Sequence, residues 1–329
     1  MIDRVPPQTH VLYENPAWIP PLREALEEEG LSVRLVHVDE GRIDPATPPP
    51  EGVWINRISP SAHTRGHVHT VELARQLLYW LESSGRRVIN GVNAFELEMS
   101  KLRQDLVLRR HGVTTPRTVL AVGREHLLEV ATTFDGPFIT KHDQGGKGLG
   151  IRLFGSADEL EASLNHEDPD FGPGERTILQ QYVQATEPFI TRVEIVGGRF
   201  LFAMRSSTAQ GFQLCPSEAC NPTSTNLEHA PGGGIGGTGL FTPSPITGAD
   251  PLVQQYIRLC TAEGIEVAGI EFVEDDRGNR YTYDINGTTN YNRTLGDRIG
   301  VDGMRVLARY VRWVGQTGGA PRRKQPLIA

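Results

Sequence analysis

The sequence predicts an α/β protein that begins with an open parallel sheet flanked by helices. Three observations support this fold class. Strand-like and helix-like segments alternate as βαββαβ over residues 1–94, an order typical of a parallel sheet. A glycine-rich loop then lies between two strand-like segments, and a hairpin with acidic residues follows near the C-terminal end. These last two features indicate a region of paired strands behind the parallel unit.

Length, charge and cysteine content limit the function classes. A chain of 329 residues exceeds one ordinary core and indicates two or three domains. The net charge of −7 provides no global basic field, so we expect neither a nucleic-acid partner nor a membrane partner. Three cysteines, Cys215, Cys220 and Cys260, are too few for a disulfide framework and are not spaced as a zinc site. No signal-peptide pattern or long apolar run is visible, so we expect a cytoplasmic protein.

Individual strands and helices follow from local signals. Pro20 and Pro21 open a helix that Gly30 ends. The predicted strands of the first unit are Thr9–Asn15, Ser32–Val38, Gly52–Arg57 and Arg87–Gly91, and its second helix carries Val71, Ala74, Leu78 and Leu81. Later helices are predicted over Phe95–His111, Asp250–Glu263 and Val301–Val314, and after a capping box at Ser156–Glu159. Later strands are predicted over Thr118–Val122, Pro137–Lys141, Ile151–Phe154, Thr177–Val183, Phe189–Val196 and Arg199–Met204.

The segment Asp143–Gly150 is a glycine loop between two predicted strands. Glycines let backbone N–H groups approach phosphate oxygens, and Lys141 precedes the loop while Lys147 lies inside it. The loop does not open a helix, so it differs from the Walker loop and from the dinucleotide-binding fingerprint. An ordinary hairpin loop is the alternative, but the composition favours a phosphate-binding flap. Its glycines are Gly145, Gly146, Gly148 and Gly150.

The predicted strand Thr177–Val183 combines apolar side chains with an available backbone edge. Such an edge could hydrogen-bond a purine ring, with Tyr182 or Val183 packed on the ring. Glu187 follows and could bind ribose hydroxyls. The alternative is a core strand that binds no ligand. The candidate nucleotide contacts of this strand are Gln180, Gln181, Tyr182 and Val183.

A hairpin near the C-terminal end carries three oxygen-bearing side chains. Its predicted strands are Gly269–Glu274 and Tyr281–Gly287, joined by a turn rich in Asp, Gly and Asn. The two-residue period of a strand lets Glu271, Asp284 and Asn286 gather at one sheet surface. Two carboxylates and an amide are hard ligands that suit Mg²⁺ shared with nucleotide phosphates. A solvated hairpin face is the alternative.

The order of these motifs resembles the ATP-grasp superfamily. A helix lysine, a strand lysine with a glycine flap, a Gln-x-Tyr-Val strand and a Glu…Asp-x-Asn hairpin follow one another from about Phe95 to Val314. Within the superfamily the chain is similar to the carboxylate–amine ligases, which include the ribosomal-protein glutamate ligases and the glutathione synthetases. The resemblance implies an N-terminal parallel α/β domain and two α+β subdomains. The implied boundaries are 1–94 for the first domain, 95–176 for the subdomain with the flap, 177–318 for the subdomain with the metal site, and 319–329 for a tail.

The resemblance implies phosphate and metal contacts. Lys101 and Lys141 match the two lysines that contact ATP phosphates, and Gly145–Gly150 looks like the flap over those phosphates. The positions that match the magnesium ligands are Glu271, Asp284 and Asn286.

The implied nucleoside contacts include two departures from the family pattern. The backbone of Gln181 and Val183 matches the adenine-binding positions, although the family usually has glutamate at the first of them. The family often carries an acidic residue where this chain has Ile190, two positions before Arg192. Glu187 is the substitute that we expect to bind the ribose.

Candidate substrate contacts come from three parts of the chain. Arg57 and Ser59 follow the third predicted strand, where an arginine could pair bidentately with a substrate carboxylate. Arg205 could neutralise a tetrahedral or acyl-phosphate intermediate, and a surface salt bridge is its alternative. The candidate catalytic residues are Arg205 and Lys141, and the candidate substrate-binding residues are Arg57, Ser59, Arg192, Arg205 and Asn290. The loop 206–245 has the composition of a lid or of a disordered segment, and His63, His67 and His69 receive no role.

Together these implications predict an ATP-dependent carboxylate–amine ligase. The carboxylate attacks the γ-phosphate of ATP, and an amine then displaces phosphate from the acyl phosphate to form an amide. We expect ATP and Mg²⁺ as cofactors, with Mn²⁺ as a substitute, and small carboxylates and amines such as amino acids or short peptides as partners. A homo-oligomer fits the family. The alternatives are an ATP-grasp enzyme with a non-amine acceptor and a non-catalytic nucleotide-binding module.

Overall fold

A computed structural model describes residues 8–146, 148, 150–166, 170–208 and 241–318. Several features predicted above lie outside these ranges. They are Lys147, most of the loop 206–245 with Cys215 and Cys220, and the tail 319–329.

The N-terminal unit is a four-stranded parallel sheet with strand order β2-β1-β3-β4, which confirms the βαββαβ prediction. Pro20 and Pro21 begin its first helix, and the second helix buries the predicted apolar stripe. Because the strands are parallel, their carboxyl ends meet at one edge of the sheet. The elements are β1 (Gln8–Tyr13), α1 (Pro20–Glu28), β2 (Ser32–His37), β3 (Val53–Arg57), α2 (Thr70–Ser83) and β4 (Arg87–Ile89).

The prediction of one helix over Phe95–His111 is wrong, because two helices occupy this region. They are α3 (Val92–Glu98) and α4 (Lys101–Arg110). Ser100 between them is extended, with φ −145° and ψ 117°, and its Oγ accepts a hydrogen bond from the amide of Arg103 at 3.2 Å. This is N-cap geometry, which starts a new helix. The break places Lys101 at the first position of α4.

The central sheet is antiparallel, with strand order β5-β8-β6-β7. Its elements are β5 (Thr118–Val122), α5 (Arg124–Ala131), β6 (Phe138–His142), β7 (Arg152–Phe154), α6 (Ala157–His166) and β8 (Arg176–Gln181). The glycine loop joins β6 to β7, as the sequence predicted. Strand β8 pairs with β5 and β6, so its hydrogen bonds assign it to this sheet although the implied boundary lies at 176/177. The domain boundaries stay a prediction.

The C-terminal sheet has strand order β11-β10-β9-β12-β13, and all of its pairings are antiparallel. The predicted hairpin is confirmed as β12 and β13. The predicted last helix from Val301 is present and begins at Gly303, after the cap Asp302. A short helix before it, which Gly300 ends in a left-handed conformation, was not predicted. The elements are β9 (Phe189–Val196), β10 (Arg199–Ser207), β11 (Phe241–Pro243), α7 (Pro251–Glu263), β12 (Val267–Glu274), β13 (Arg280–Asn286), α8 (Arg293–Ile299) and α9 (Gly303–Thr317).

Two contacts fix the parallel sheet against the C-terminal sheet. Helix α9 buries Leu307 and Val311 in a core shared with Val11 of β1 and Val267 of β12. Asn90, after β4, donates from Nδ2 to the carbonyls of Val267 (2.8 Å) and Gly287 (2.9 Å). The carboxyl-end edge of the parallel sheet therefore faces the acidic hairpin. None of the helices in the described ranges combines the length and apolar character needed to cross a membrane.

Candidate active site

A cavity of about 200 Å³ opens where residues of the three sheets meet. Its wall includes the loop after β3, the start of α4, the glycine loop, the end of β8, and the facing hairpin strands. The structure thus brings together motifs that lie far apart in the sequence. The predicted site residues that line the cavity are Ser59, Lys101, Lys141, Gly145, Gly146, Gly148, Gln180, Gln181, Tyr182, Val183, Arg192, Glu271, Asp284, Asn286 and Asn290.

Three predicted residues do not line the cavity. Arg57 is buried and donates to the Thr289 carbonyl at 2.8 Å and to Asn290 Oδ1 at 2.6 Å, so it orients the segment after the hairpin. Glu187 has a 65% exposed side chain and lies 4.0 Å from Nη1 of Arg205. This is the geometry of a surface ion pair, which contributes little stability. The ribose role of Glu187 and the catalytic role of Arg205 stay predictions.

Two buried lysines lie on one side of the cavity. Lys141, in β6, donates from Nζ to Gln180 Oε1 at 2.9 Å and lies 5.5 Å from the centre of the Tyr283 ring. Lys101 donates from Nζ to Asp284 Oδ1. Burial and, to a smaller extent, the neighbouring Lys101 ammonium lower the pKa of Lys141, which is about 8 as a result. Two cations held in a buried wall favour an anionic ligand such as phosphate.

The acidic side chains of the hairpin share one face. Glu271 lies opposite Asp284 in the β12–β13 register, and Asn286 lies opposite Gly269. Burial raises the pKa of Glu271, and the neighbouring Asp284 adds to this while Arg192 opposes it. Burial would also raise the pKa of Asp284, but the ammonium groups of Lys101 and Lys141 outweigh it and the pKa is lowered.

This donor set fits a hard divalent cation. The carboxylates of Glu271 and Asp284 and the amide oxygen of Asn286 are the ligand types that Mg²⁺ prefers. In the described ranges no group of three or more His, Cys, Asp or Glu side chains is placed to bind a metal. The third candidate ligand, Asn286, is an amide and lies outside these four residue types. Glu271 accepts from Arg192 and from the Tyr283 hydroxyl, and Asp284 pairs with Lys101, so a bound metal would replace part of the lysine and arginine charge.

Arg192 of β9 is the centre of a buried polar network under the cavity floor. It donates from Nε to Glu194 at 2.6 Å, from Nη1 to Glu271 at 2.8 Å, and from Nη2 to Thr289 at 3.0 Å. Its guanidinium lies directly over Gly269, where an added Cβ would sit 2.0 Å from Nη2. Glycine at position 269 therefore makes room for the arginine that orients Glu271.

Asp143 fixes the start of the glycine loop against α4. Its carboxylate accepts hydrogen bonds from Ser100 Oγ at 2.9 Å and from the Leu102 amide at 3.0 Å. Its backbone carbonyl accepts from the amide of Lys101 at 3.0 Å. A carboxylate at a helix N-terminus is electrostatically favourable. These hydrogen bonds connect the start of α4, which carries Lys101, to the start of the glycine loop, and both segments reach the cavity there.

Comparisons with known proteins agree with this geometry. No protein-family model matches the chain. The chain is 23% identical over 241 residues to beta-citrylglutamate synthase B of Danio rerio, and 25% identical over 245 residues to a probable alpha-L-glutamate ligase of Xanthomonas euvesicatoria. These alignments cover 71% and 74% of this chain, but 53% and 74% of the two relatives, so the chain spans about half the length of the first.

A likeness to a solved structure decides the fold. The chain superposes on the RimK domain ATP-grasp protein of Sphaerobacter thermophilus with a TM-score of 0.66 at 18% identity, covering 92% of this chain and 98% of the other. That protein has the ATP-grasp fold, and the chain shares this fold. The fold class predicted from the sequence is confirmed.

At the end of β8, where the sequence predicts a nucleotide-binding edge, internal hydrogen bonds use two of the backbone amides. The amide of Gln181 donates to the Arg117 carbonyl at 2.8 Å, and the amide of Tyr182 donates to the Pro137 carbonyl at 3.0 Å. Val183 follows, and no hydrogen bond from its amide is found among the described residues. The binding of adenine by this amide stays a prediction.

Several residues of this candidate site were not predicted from the sequence. Asp143 was read only as part of the glycine loop, and Gly269 only as the start of a strand. The predicted helix Phe95–His111 puts Glu98 in its first turn, although Glu98 ends α3 and lines the cavity. Trp18 also lines the cavity, from a 3₁₀ turn that the sequence did not predict. A capping signal at Ser100 was the one local clue that could have placed Glu98 at a helix end.

Proposed function

We propose that the chain is an ATP-dependent ligase that activates a carboxylate as an acyl phosphate and joins it to an amine. One observation carries the proposal: two buried lysines, a glycine loop and an acidic hairpin face one cavity. A protein that only binds a nucleotide would need the lysines and the glycine loop, but not the acidic hairpin. The carboxylates opposite them add the metal-binding chemistry that phosphoryl transfer requires.

The chain's own residues then have distinct tasks. Lys101, Lys141 and the amides of the glycine loop bind the phosphates, and the Val183 amide binds adenine. Glu271, Asp284 and Asn286 would hold Mg²⁺, with Mn²⁺ as a substitute, which supplies positive charge to the phosphates. Lys101 now pairs with Asp284. With a metal held at Asp284, the Lys101 ammonium would be free to contact phosphate.

The reaction proceeds by two displacements. A substrate carboxylate oxygen attacks the γ-phosphorus, the bond to the bridging oxygen of ADP breaks, and an acyl phosphate forms. The amine nitrogen attacks the acyl carbon, and phosphate leaves with the former carboxylate oxygen. The protein contributes positioning and charge neutralisation, which dominate such transfers. Arg205 and Glu187 belong to this proposal as charge neutraliser and ribose ligand, with Arg57, Ser59, Arg192 and Asn290 at the substrate end.

The substrates proposed are amino acids or short peptides. Two relatives are named as a glutamate ligase and a citrylglutamate synthase, so an amino acid is the natural first amine to test. Because the reaction consumes ATP, we propose the cytoplasm as its location, and a homo-oligomer as its assembly. The division at 94/95, 176/177 and 318/319 is part of the same proposal.

The test is ADP release across a panel of amino acids and dipeptides, each offered as carboxylate and as amine. We expect ADP only when one carboxylate and one amine are present together, with a product whose mass equals their sum minus water. Asp276→Asn, in the exposed hairpin turn, is a matched control for Asp284→Asn. ADP release with bicarbonate or coenzyme A in place of an amine would point to another ATP-grasp reaction. Tight ATP binding without turnover on any substrate would indicate a binding module.

A further inference from the structure

Glu98 is a buried carboxylate in the cavity wall that the proposed machinery leaves unused. It is 4% exposed and ends α3. Every other buried acidic residue in the described ranges has an arginine or lysine within 4.0 Å, whereas no ion pair of Glu98 is found there. The other buried acids are Glu14, Asp105, Asp143, Glu194, Glu263 and Glu266. A buried carboxylate without a counter-ion is costly, so this position favours a cationic ligand.

The hydrogen bonds around Glu98 indicate that its carboxyl group can also be protonated. Its carboxylate accepts from the Thr288 amide at 3.0 Å and from Thr288 Oγ1 at 3.1 Å. The same hydroxyl lies 3.0 Å from the Ile58 carbonyl. A hydroxyl has one proton, so it satisfies both neighbours only when the carboxyl group of Glu98 is protonated and donates to Oγ1. These hydrogen bonds therefore favour the protonated form of Glu98 when no cationic ligand is bound, and a bound cation would favour the carboxylate.

The surroundings of Glu98 support this assignment. Burial raises the pKa of Glu98, the bonds from Thr288 and the charge of Lys101 oppose this, Asp284 adds to it, and the resulting pKa is about 7. A base in this range can accept a proton from an ammonium group at neutral pH. Thr288 follows the metal-binding strand and Ile58 precedes Ser59. A group bound at Glu98 lies between the acidic hairpin and the parallel sheet.

We propose that Glu98 binds the amine substrate as its ammonium ion and accepts the proton that makes the amine a nucleophile. This inference rests on the proposed ligase function and assigns the class of its second substrate, a primary amine that is cationic in water. The ammonium gives one proton to the Glu98 carboxylate. The nitrogen lone pair then attacks the acyl carbon, the bond to the phosphate oxygen breaks, and a second amine proton leaves with phosphate. Glu98 returns its proton to water.

The experiment compares two nucleophiles in Glu98→Gln. Hydroxylamine is uncharged at neutral pH and needs neither a counter-ion nor a base, so it traps an acyl phosphate as a hydroxamate. The most active carboxylate of the panel is supplied with ATP and either hydroxylamine or the most active amino acid. We expect the ratio of amide to hydroxamate to fall about tenfold to a hundredfold, the range for losing a hydrogen bond between charged groups. The KM for the amine should rise.

Two variants separate this role from packing. Glu96→Gln makes the same change on the same helix, at a residue that pairs with Arg75 and Arg103 outside the cavity wall. It should leave the ratio unchanged. Glu98→Asp keeps the charge and should recover part of the amide yield.

The outcomes distinguish failure of the Glu98 assignment from failure of the ligase proposal. An unchanged ratio in Glu98→Gln, with hydroxamate still formed, overturns the assignment of Glu98 and leaves the ligase intact. Equal losses in Glu98→Gln and Glu98→Asp indicate a packing role and overturn it as well. Absence of hydroxamate in the parent with every carboxylate refutes the ligase proposal and this inference with it.

Discussion

Gly269→Ala should disrupt the site through Arg192 although position 269 carries no functional side chain. An ideal Cβ there would lie 2.0 Å from Nη2 and 2.3 Å from Cζ of Arg192, distances that no real contact allows. The φ angle of Gly269 is not in the left-handed region, so the effect is steric and not a matter of backbone strain. The guanidinium must move, and its bonds to Glu194, Glu271 and Thr289 cannot all survive.

The expected cost follows from the burial of this network. Arg192 is 5% exposed and Glu194 is fully buried. Breaking a buried ion pair typically costs about 3–5 kcal/mol. We therefore expect Gly269→Ala to lower the free energy of unfolding by about this amount, and to weaken turnover because Glu271 loses its orienting partner.

Chemical denaturation by urea gives the measurement, with Gly136→Ala as the control. Nothing lies within 4 Å of a Cβ at Gly136, and its φ is not left-handed, so this change should be neutral or stabilise by about 0.4–1 kcal/mol. Loss of less than about 1 kcal/mol in Gly269→Ala would show that Arg192 can relocate without cost. The reasoning from the network would then be refuted.

Three further predictions concern the residues that we propose bind Mg²⁺ and ATP. Glu271→Gln and Asp284→Asn should remain folded but lose about 2.7–4 kcal/mol of transition-state stabilisation, by analogy with removal of one preorganised donor; ADP release within twofold of the parent at saturating Mg²⁺ would contradict the metal assignment. Lys141→Ala should bind ATP about tenfold to a hundredfold more weakly in calorimetry, and unchanged affinity would remove this lysine from the phosphate site. Because burial and Lys101 lower the pKa of Lys141 to about 8, the ammonium is lost as pH rises through that value, and ATP affinity should fall. Lys141→Arg should show a flat pH profile over the same range, and a parent profile equally flat would contradict the lowered pKa.

The sequence predicted those parts of the fold whose signals are local. Alternation of strands and helices gave the parallel sheet, and the two-residue period brought Glu271, Asp284 and Asn286 to one face of a hairpin. Glycine spacing located the flap. Each of these signals lies within a few residues of the feature that it predicts, so no tertiary information was needed.

The features that the sequence did not predict depend on contacts between residues that are far apart in the chain. The helix break at Ser100 depends on Asp143, which lies more than 40 residues away and caps the new helix. Position 269 must be glycine because the Arg192 guanidinium of a neighbouring strand lies over it. The environment of Glu98 depends on its hydrogen bonds with Thr288, which is distant in the sequence. Nη1 and Nη2 of Arg57 donate to Thr289 and Asn290, bonds that the sequence did not predict, and its role at the substrate stays a prediction. Such pairings cannot be derived from spacing.

The central claim is that the carboxylate passes through an acyl phosphate, and isotope transfer tests it directly. The carboxylate that drives most ADP release in the panel is labelled with ¹⁸O in both carboxylate oxygens and turned over with its amine in ordinary water. The account predicts that one labelled oxygen moves into each phosphate released, because the oxygen that attacks the γ-phosphorus leaves with it. Amide formed together with unlabelled phosphate would contradict the account, since the phosphate oxygen would then have come from water.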